Sequence, residues 1–291
     1  MEIKEIAKEV AKVLSEKVGF SVVVGETVKP NGVVLTSLRF DNGENVQPNF
    51  YLDNFDWRKK SPEVLANEIL EVFKEEKTSM VRRMPVDLKN YSIDDVFFKV
   101  FSARMFSYND MTTFSVLDLV LAPYVLFSKG SEGIASIRVS HDVEKVMGIC
   151  VADEFEKIKQ NTIEKFPLKI TALMELLESV ATELPELSEL PEGGFFPMMV
   201  LTNDAGINGA TTALLTEAYE RFSEDWESDV VVIPSSVHEL ICVPLDKEVE
   251  IEEISSMVTE VNRTTVLPED ILEDHPYVFR RDTGCLEVIN V

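Results

Sequence analysis

The chain begins with apolar residues at helical spacing, and lysine and glutamate fill the positions between them. This pattern predicts an amphipathic helix that ends at Gly19. Two β-strands are predicted next, each followed by a turn signal, and a third is weakened by Pro48. These strands cover residues 20–28, 33–40 and 46–52. The first part of the chain therefore predicts a helix followed by an antiparallel meander.

The middle of the chain alternates helix starts with apolar runs. Ser61-Pro62-Glu63 predicts the start of a helix that runs to about Lys77. Ser92, with Asp94 and Asp95, predicts the start of another helix, whose apolar residues are Val96, Phe97, Val100 and Phe101. A hairpin of strands 117–127 and 133–139 is predicted next. Further helices are predicted from Ser140 to Gly148, over 153–165 and over 168–180.

A segment rich in proline, glycine and glutamate, residues 182–197, predicts an extended linker. It would separate an N-terminal α+β subdomain (residues 1–181) from an acidic C-terminal α+β subdomain (residues 198–291). The C-terminal pattern is β-α-β-β-α-β-β, with its first helix over 210–222 and a closing hairpin over 277–289. The predicted fold class is therefore α+β.

Charge is distributed unevenly along the chain, whose formal net charge is −24. Residues 1–150 contain nineteen Lys and Arg and twenty-two Asp and Glu, whereas residues 151–291 contain nine and thirty. A strongly negative surface repels phosphate backbones, so direct nucleic-acid binding is not expected. It would attract a basic protein partner. The alternative is a surface that only maintains solubility.

The sequence contains no signal for secretion or membrane insertion. No signal-peptide pattern follows the first helix, and the longest apolar stretch, residues 116–127, is interrupted by Asp118 and Pro123. The three cysteines have no zinc-ligand spacing and are expected to be reduced and buried. We therefore expect a cytoplasmic protein with no membrane partner, and the oligomeric state stays open.

One short block contains the ingredients of nucleophilic catalysis. Ser235, Ser236, His238 and Glu239 supply hydroxyls, an imidazole and a carboxylate between two predicted strands. Members of a catalytic triad usually come from separate segments, and no Gly-x-Ser-x-Gly motif is present. The alternative is a structural turn in which the serines cap the backbone and His238 binds it.

Two other kinds of site have weaker signals. The loop 202–209 follows a predicted strand and precedes a helix, where anions can bind, but it matches neither nucleotide-binding glycine pattern. The three histidines, His141, His238 and His275, are widely separated. Helix caps and loops explain the neighbouring carboxylates, so neither a metal site nor a cofactor is predicted.

Several blocks resemble a known family. They are Val200-Leu201-Thr202-Asn203, Gly209-Ala210, Ile233-Pro234-Ser235-Ser236-Val237-His238-Glu239 and Val243-Pro244, with Asn31-Gly32-Val33-Val34-Leu35 and Asn49-Phe50-Tyr51-Leu52-Asp53 nearer the start. Together they are similar to domain of unknown function family 5688, found in gut-dwelling Firmicutes. The resemblance implies a bacterial, cytoplasmic protein and brings no known activity.

The leading hypothesis from sequence is a non-enzymatic interaction or inhibitor protein that uses its acidic second half. Glu248, Glu250, Glu252 and Glu253 are the candidate contact residues. A sharper form of the hypothesis is mimicry of nucleic-acid charge against a nuclease. The alternative is a hydrolase-like enzyme that uses His238 with Ser235 or Ser236.

Overall fold

The computed structural model describes residues 2–43, 47–77, 87–130, 133–176, 197–246 and 250–289. The chain divides into two compact units, residues 1–87 and 88–291. Each combines helices with antiparallel sheets, and the predicted α+β class is confirmed. None of the described helices combines the length and the apolar character needed to cross a lipid bilayer.

In its described residues, the smaller unit contains two α-helices, a three-stranded antiparallel sheet and one 3-10 turn at Leu52–Asn54. The elements are α1 (Ile3–Val18), β1 (Ser21–Val28), β2 (Val34–Asp41), β3 (Asn49–Tyr51) and α2 (Pro62–Lys77). The strands pair in the order β1-β2-β3. Gly19 ends α1 in the left-handed conformation, with φ of 79°, which glycine adopts without steric cost. The predicted helix and meander are confirmed, although the third strand is shorter than predicted.

The core of the smaller unit joins the apolar face of α1 to a group of phenylalanine rings. Phe40 and Phe73 stack with their ring centroids 4.5 Å apart, and Phe50 meets both edge-on. Offset and edge-to-face arrangements of this kind are the favourable ones for aromatic pairs. The periodic apolar positions of α1 therefore become buried against the sheet, as the spacing predicts.

The larger unit begins with a four-stranded sheet built around one long strand. Its strands are β4 (Val96–Ser102), β5 (Phe114–Val116), β6 (Leu119–Gly130) and β7 (Gly133–Arg138). β6 pairs with β4 along one edge, and with β5 and then β7 along the other. The β6–β7 pair confirms the predicted hairpin.

Two helices follow this sheet, α3 (His141–Met147) and α4 (Phe155–Lys165). The Ser140 hydroxyl accepts a hydrogen bond from the Val143 N–H at the start of α3, and Gly148 ends the helix with φ of 70°. Both ends were predicted from these residue types, because serine caps helix starts and glycine tolerates the left-handed end.

A six-stranded antiparallel sheet forms the rest of the larger unit. Its strands are β8 (Leu168–Ala172), β9 (Met199–Asn203), β10 (Val230–Ser236), β11 (Glu239–Pro244), β12 (Tyr277–Arg280) and β13 (Cys285–Val288). They pair in the order β13-β12-β10-β11-β9-β8. The accompanying helices are α5 (Gly209–Leu215), α6 (Ala218–Asp225) and α7 (Ile251–Thr264). The predicted C-terminal order of strands and helices is confirmed, except that two helices, α5 and α6, stand where one was predicted.

The central strands of the six-stranded sheet, β10, β11 and β12, have buried residues on both faces. Val230 and Val232 belong to the main core, together with residues of the four-stranded sheet, α4, α5 and α6. Val231 and Ile233 point the other way, since side chains alternate along a strand, and pack with Val258 of α7. Helix α7 therefore covers the outer face of the sheet.

The predicted helix that starts at Ser92 is wrong beyond its first turn. Ser92 starts a helical turn as predicted and forms a capping box with Asp95, but the helix stops after one 3-10 turn at residues 93–95. Residues 96–102 continue as β4, whose side chains are buried on both faces. β4 pairs with β6, and the Phe98 and Val100 N–H groups donate hydrogen bonds to threonine hydroxyls of α4 and α5. These hydrogen bonds satisfy the backbone of residues 96–102 better than a helix would.

Two other predictions for the larger unit need correction. Residues 168–172 form β8 rather than the start of a helix over 168–180, because they pair with β9. The predicted helix over 210–222 is two helices, α5 and α6, interrupted at Thr216 and Glu217. Local apolar spacing alone shows neither the pairing of residues 168–172 with β9 nor the interruption between α5 and α6.

The division between units also differs from the predicted one. Strand β8 comes before residues 182–197 and β9 comes after them, yet the two are neighbours in one sheet. One compact unit ends at residue 87 and the other begins at residue 88 instead. Residues 182–196 of the predicted linker themselves lie outside the described residues. The larger unit, residues 88–291, contains fifteen Lys and Arg and thirty-seven Asp and Glu, so nearly all of the net charge belongs to it.

The cysteines differ from one another in exposure. Cys242 lies fully buried in β11, and burial raises the pKa of its thiol. Cys150 and Cys285 are exposed, contrary to the expectation that all three are buried. All three are free thiols.

Candidate functional site

The four candidate catalytic residues lie together where β10 ends and β11 begins, and we call residues 235–239 the His238 turn. The Ser236 hydroxyl accepts a hydrogen bond from the His238 backbone N–H at 3.0 Å. The Ser235 hydroxyl donates to the Glu239 carboxylate at 3.2 Å. Both serine hydroxyls therefore hold the turn itself.

The imidazole of His238 is held by groups from two other segments. Its Nδ1 accepts a hydrogen bond from the Asn208 backbone N–H at 3.1 Å. A neutral ring with Nδ1 as acceptor carries its proton on Nε2. Nε2 lies 3.3 Å from an Asp270 carboxylate oxygen, to which it can donate. These two partners fix the tautomer and the orientation of the ring.

Backbone contacts connect the His238 turn to the start of α5. The Thr202 hydroxyl donates to the His238 carbonyl oxygen at 2.8 Å, and the Ala210 N–H donates to the Val237 carbonyl. Asn208 adopts a left-handed conformation, with φ of 54°, and Gly209 lies directly against the turn. The turn therefore joins the β9–α5 connection to the β10–β11 hairpin.

This geometry gives the block a structural role. Among the described residues, the partners of the imidazole are a backbone amide and a carboxylate, and neither Ser235 nor Ser236 directs its hydroxyl to the ring. A serine nucleophile would need the base within about 2.6–3.2 Å of its hydroxyl. The contacts thus support the structural turn rather than the hydrolase-like alternative.

Replacement of His238 by alanine is expected to lower the free energy of unfolding by about 1–2 kcal/mol. The reason is that the Asn208 N–H loses its acceptor at a position that is only partly open to water. Urea unfolding of His238→Ala beside the wild type measures the loss. His141→Ala, at an exposed helix start, is the control and is expected to change stability by less than about 0.5 kcal/mol. A catalytic His238 would predict the reverse, namely unchanged stability and the loss of an activity.

The candidate anion loop, residues 202–209, is also an ordinary strand-to-helix turn. Asn203 accepts a hydrogen bond from the Ala205 N–H and donates to the Ile207 carbonyl, closing the loop with its own side chain. The Lys129 ammonium binds the Asp204 carboxylate at 2.6 Å. These contacts explain the residue types in the loop.

The candidate interaction residues lie at the start of α7. Glu250 precedes the helix, and Glu252 and Glu253 occupy its first turn, where all three are exposed. Glu248 lies outside the described residues. Carboxylates in a first turn also stabilise the helix through its dipole, which is their structural alternative.

A second group of polar side chains, which the sequence does not predict, lies near the start of β6. We call Asp118, Glu273 and His275 the Asp118 cluster. The His275 Nε2 lies 2.8 Å from one Asp118 oxygen, and the Tyr277 hydroxyl donates to the other at 2.8 Å. One ligand-type atom from each member of the cluster lies within 4.8 Å of the others.

Glu273 is a charged residue inside the larger unit, and its side chain is only 5% exposed. The fully buried Ser102 hydroxyl donates to one of its carboxylate oxygens, and Arg104 lies 3.3 Å from the other. Arg104 also binds Asp274 at 2.7 Å. A buried carboxylate requires such partners, since removal of a charge from water is costly.

Several pKa values around the cluster are perturbed. Burial, followed by its hydrogen bond to Asp118, raises the pKa of Tyr277 far above its ordinary value. Burial opposes ionisation of Asp274, but hydrogen bonds from Arg104 and Asn262 outweigh it and hold the pKa of Asp274 below its ordinary value. Tyr277 is therefore a neutral hydrogen-bond donor to Asp118.

Sequence signals for this cluster were present but separate. Asp118 interrupts the longest apolar stretch, which is an unusual position for a carboxylate, and His275 follows Asp274 in the sequence. The 157 positions between Asp118 and His275 hide their proximity. Only the packing of the four-stranded and six-stranded sheets in one core brings them together.

A family model described as a family of unknown function (DUF5688) matches residues 3–281 of the chain. The chain belongs to the DUF5688 family. No curated protein and no solved structure matches it. Family membership therefore defines the relationship of the chain without assigning an activity.

In this DUF5688 protein, three of the C-terminal blocks on which the resemblance rests lie close together in the fold. They are β9, the start of α5 and the His238 turn, and contacts between Thr202, Ala210, Val237 and His238 join them. The fourth block, Val243-Pro244, lies at the other end of β11, where it pairs with the start of β10. Three blocks thus share one structural neighbourhood around the His238 turn.

The DUF5688 protein also contains an open cavity of about 250 Å³ beside α6. Apolar side chains including Val116, Leu214 and Phe279 line it, together with Glu217 and Glu220. Its volume is somewhat below the range of about 300–1,000 Å³ that is typical of small-molecule pockets. The cavity contains none of the members of the Asp118 cluster.

Tyr219 beside this cavity has a buried hydroxyl with no hydrogen-bond partner in the described part of the chain. Burial raises the pKa of Tyr219 well above its ordinary value, so the hydroxyl stays neutral. A buried donor without a partner costs free energy. Tyr219→Phe is therefore expected to increase the free energy of unfolding by about 1 kcal/mol in denaturant titrations. A decrease of similar size would mean that the hydroxyl has a bonding partner in the folded protein.

Proposed function

We propose that this DUF5688 protein is a non-enzymatic interaction protein whose larger unit binds a basic, amphipathic protein segment through α7. The observation that carries the proposal is an exposed face of α7 on which an acidic start leads into apolar residues. Glu253, Met257 and Val261 follow one another at intervals of four, so they lie on one side of the helix. We call this set the α7 face.

The apolar residues of the α7 face are unusually open to solvent. Met257 is 51% exposed and Val261 is 42% exposed, and Leu267, just beyond the helix, is 53% exposed. The adjacent side of the helix packs on the sheet through Val258 and Ile254. Met257 and Val261 are not members of that core cluster, and an exposed apolar patch beside polar residues is typical of interaction sites.

Charge determines the chemistry of the proposed partner. Glu250, Glu252 and Glu253 form no ion pair within the ranges that the structure describes, whereas Glu260 on the same helix is paired with Arg263. The unit to which they belong has a large excess of acidic residues. Lysine or arginine beside leucine-type side chains would complement both parts of the surface.

A pair of matched charge reversals tests the proposal. The probe is a synthetic helical peptide with lysine and arginine on one face and leucine on the other. Glu252→Lys with Glu253→Lys is expected to weaken its binding at least about tenfold, or 1.4 kcal/mol. The reason is that the reversal places like charges against the peptide. Isothermal titration calorimetry at low and physiological ionic strength measures the affinity.

The control is Asp153→Lys with Glu156→Lys at the start of α4. It changes the net charge equally and also alters exposed residues at the beginning of a helix. We expect it to weaken binding less than about threefold, because it is not on the α7 face. Equal losses for both pairs, or no loss for either, would mean that the charge acts only as a general solubility surface.

A further inference from the structure

The Asp118 cluster combines two carboxylates and an imidazole, which differ from the acidic surface in both burial and chemistry. Asp118 enters from the β5–β6 connection, while Glu273 and His275 come from the segment before β12. Their ligand-type atoms converge within 4.8 Å. We propose that these three residues bind a first-row transition-metal dication of the zinc or cobalt type.

The hydrogen bonds of His275 favour a cation at this position. Its Nδ1 lies 3.2 Å from the Pro276 carbonyl oxygen, which accepts only if Nδ1 carries a proton. In a neutral ring, Nε2 then directs a lone pair toward an Asp118 oxygen 2.8 Å away. Two such lone pairs repel unless a positive charge lies between them. Either a second proton on the ring or a metal ion supplies that charge.

The charges of the neighbouring groups favour the dication over the proton. Asp118, Glu273 and Asp274 are carboxylates, and Arg104 is the cation that contacts two of them. With a neutral His275, these four groups have a net charge of −2. A bound dication balances this charge, whereas protonation of the imidazole balances only half of it. A partly buried group of charges is stabilised when it is balanced in this way.

The donor atoms and their outer contacts suit a transition metal. Imidazole nitrogen with carboxylate oxygen is a ligand set of zinc and its neighbours, while magnesium and calcium prefer oxygen alone. Histidine ligands usually donate their second N–H to a carbonyl or carboxylate, as His275 does to Pro276. The Tyr277 hydroxyl orients Asp118 and the Ser102 hydroxyl orients Glu273. Three protein ligands leave further coordination positions for water or another molecule.

Zinc binding by the full chain tests the proposal. The background protein contains Cys150→Ser and Cys285→Ser, because exposed thiols bind zinc themselves. Equilibrium dialysis at neutral pH is expected to give one Zn²⁺ per chain. Asp118→Asn and His275→Gln are each expected to weaken binding at least tenfold, with the fold checked by circular dichroism. His238→Gln is the matched control, since His238 also faces a carboxylate but belongs to no such cluster, and it should bind as the background does.

A second measurement avoids the risk that a variant fails to fold. Co²⁺ is added to the background protein, and the histidine ring resonances are followed by nuclear magnetic resonance. Selective paramagnetic shift or broadening of His275, with His141 and His238 unaffected, supports the proposal. Failure to bind one equivalent, unchanged affinity in both ligand variants, or equal effects on all three histidines would overturn it and leave His275 as a hydrogen-bonding partner of Asp118.

Discussion

Gly209→Ala is expected to destabilise the larger unit by at least about 3 kcal/mol, because the added methyl group has no space. A Cβ at this position would lie 2.5 Å from the His238 carbonyl oxygen and 2.7 Å from the Asn203 backbone nitrogen. It would also lie 2.2 Å from the Thr202 hydroxyl oxygen. The side chain of Thr202 can rotate away from the added Cβ. The two backbone atoms can gain distance from that Cβ only if α5 moves away from the His238 turn.

Denaturant unfolding of three variants separates these causes. Gly130→Ala is the control, since no described atom lies within 4 Å of its added Cβ, and it should change stability by less than about 0.5 kcal/mol. Addition of Thr202→Ala to Gly209→Ala should not restore stability, because the backbone clashes remain. Full recovery in the double variant would instead show that the glycine is needed only to accommodate one hydroxyl.

Ser102→Ala is expected to lower the free energy of unfolding by about 2–3 kcal/mol, a large effect for the loss of a single oxygen atom. Ser102 is fully buried and donates to Glu273, whose carboxylate is nearly inaccessible to water. Hydrogen bonds to buried charged groups contribute more than neutral ones, and the charge left behind cannot be solvated. The measurement is urea unfolding at neutral pH with a metal chelator, so that metal binding does not contribute.

A double-mutant cycle with Glu273→Gln tests whether the charge is the cause. In the Glu273→Gln background, the cost of Ser102→Ala should fall by at least about 1 kcal/mol, because a neutral amide needs the hydroxyl less than a carboxylate does. An equal cost in both backgrounds would attribute the loss to packing around Ser102. The cycle therefore isolates the interaction of the serine with the carboxylate.

Local sequence signals predict the elements whose stabilising contacts are also local. The start and end of α3 depend on Ser140 and Gly148, and the β6–β7 hairpin pairs strands that are adjacent in the sequence. The helix start predicted at Ser92 is also present, yet the chain after its single turn forms β4. Its conformation depends on pairing with β6 and on hydroxyls of α4 and α5, which a local pattern does not reveal.

The same distinction applies to the candidate sites. The sequence located the His238 turn, but its role depends on Asn208 and Asp270, each about thirty positions from the histidine. The Asp118 cluster was missed because Asp118 lies more than 150 positions before Glu273 and His275. The glutamates before and within the first turn of α7 were identified by charge alone. The exposed apolar residues beside them became evident only when the packed side of the helix was known.

The most direct test of the proposed function is amide hydrogen exchange of the full chain with and without the basic amphipathic peptide. If α7 is the binding surface, exchange should slow over residues 250–267 and change little over α4, residues 155–165. The α7 face includes Met257 and Val261, so Met257→Ser with Val261→Ser should remove this protection while the exchange of the sheet stays unchanged. Protection that is absent from residues 250–267, or equally strong over α4, would contradict the assignment of α7 as the interaction surface.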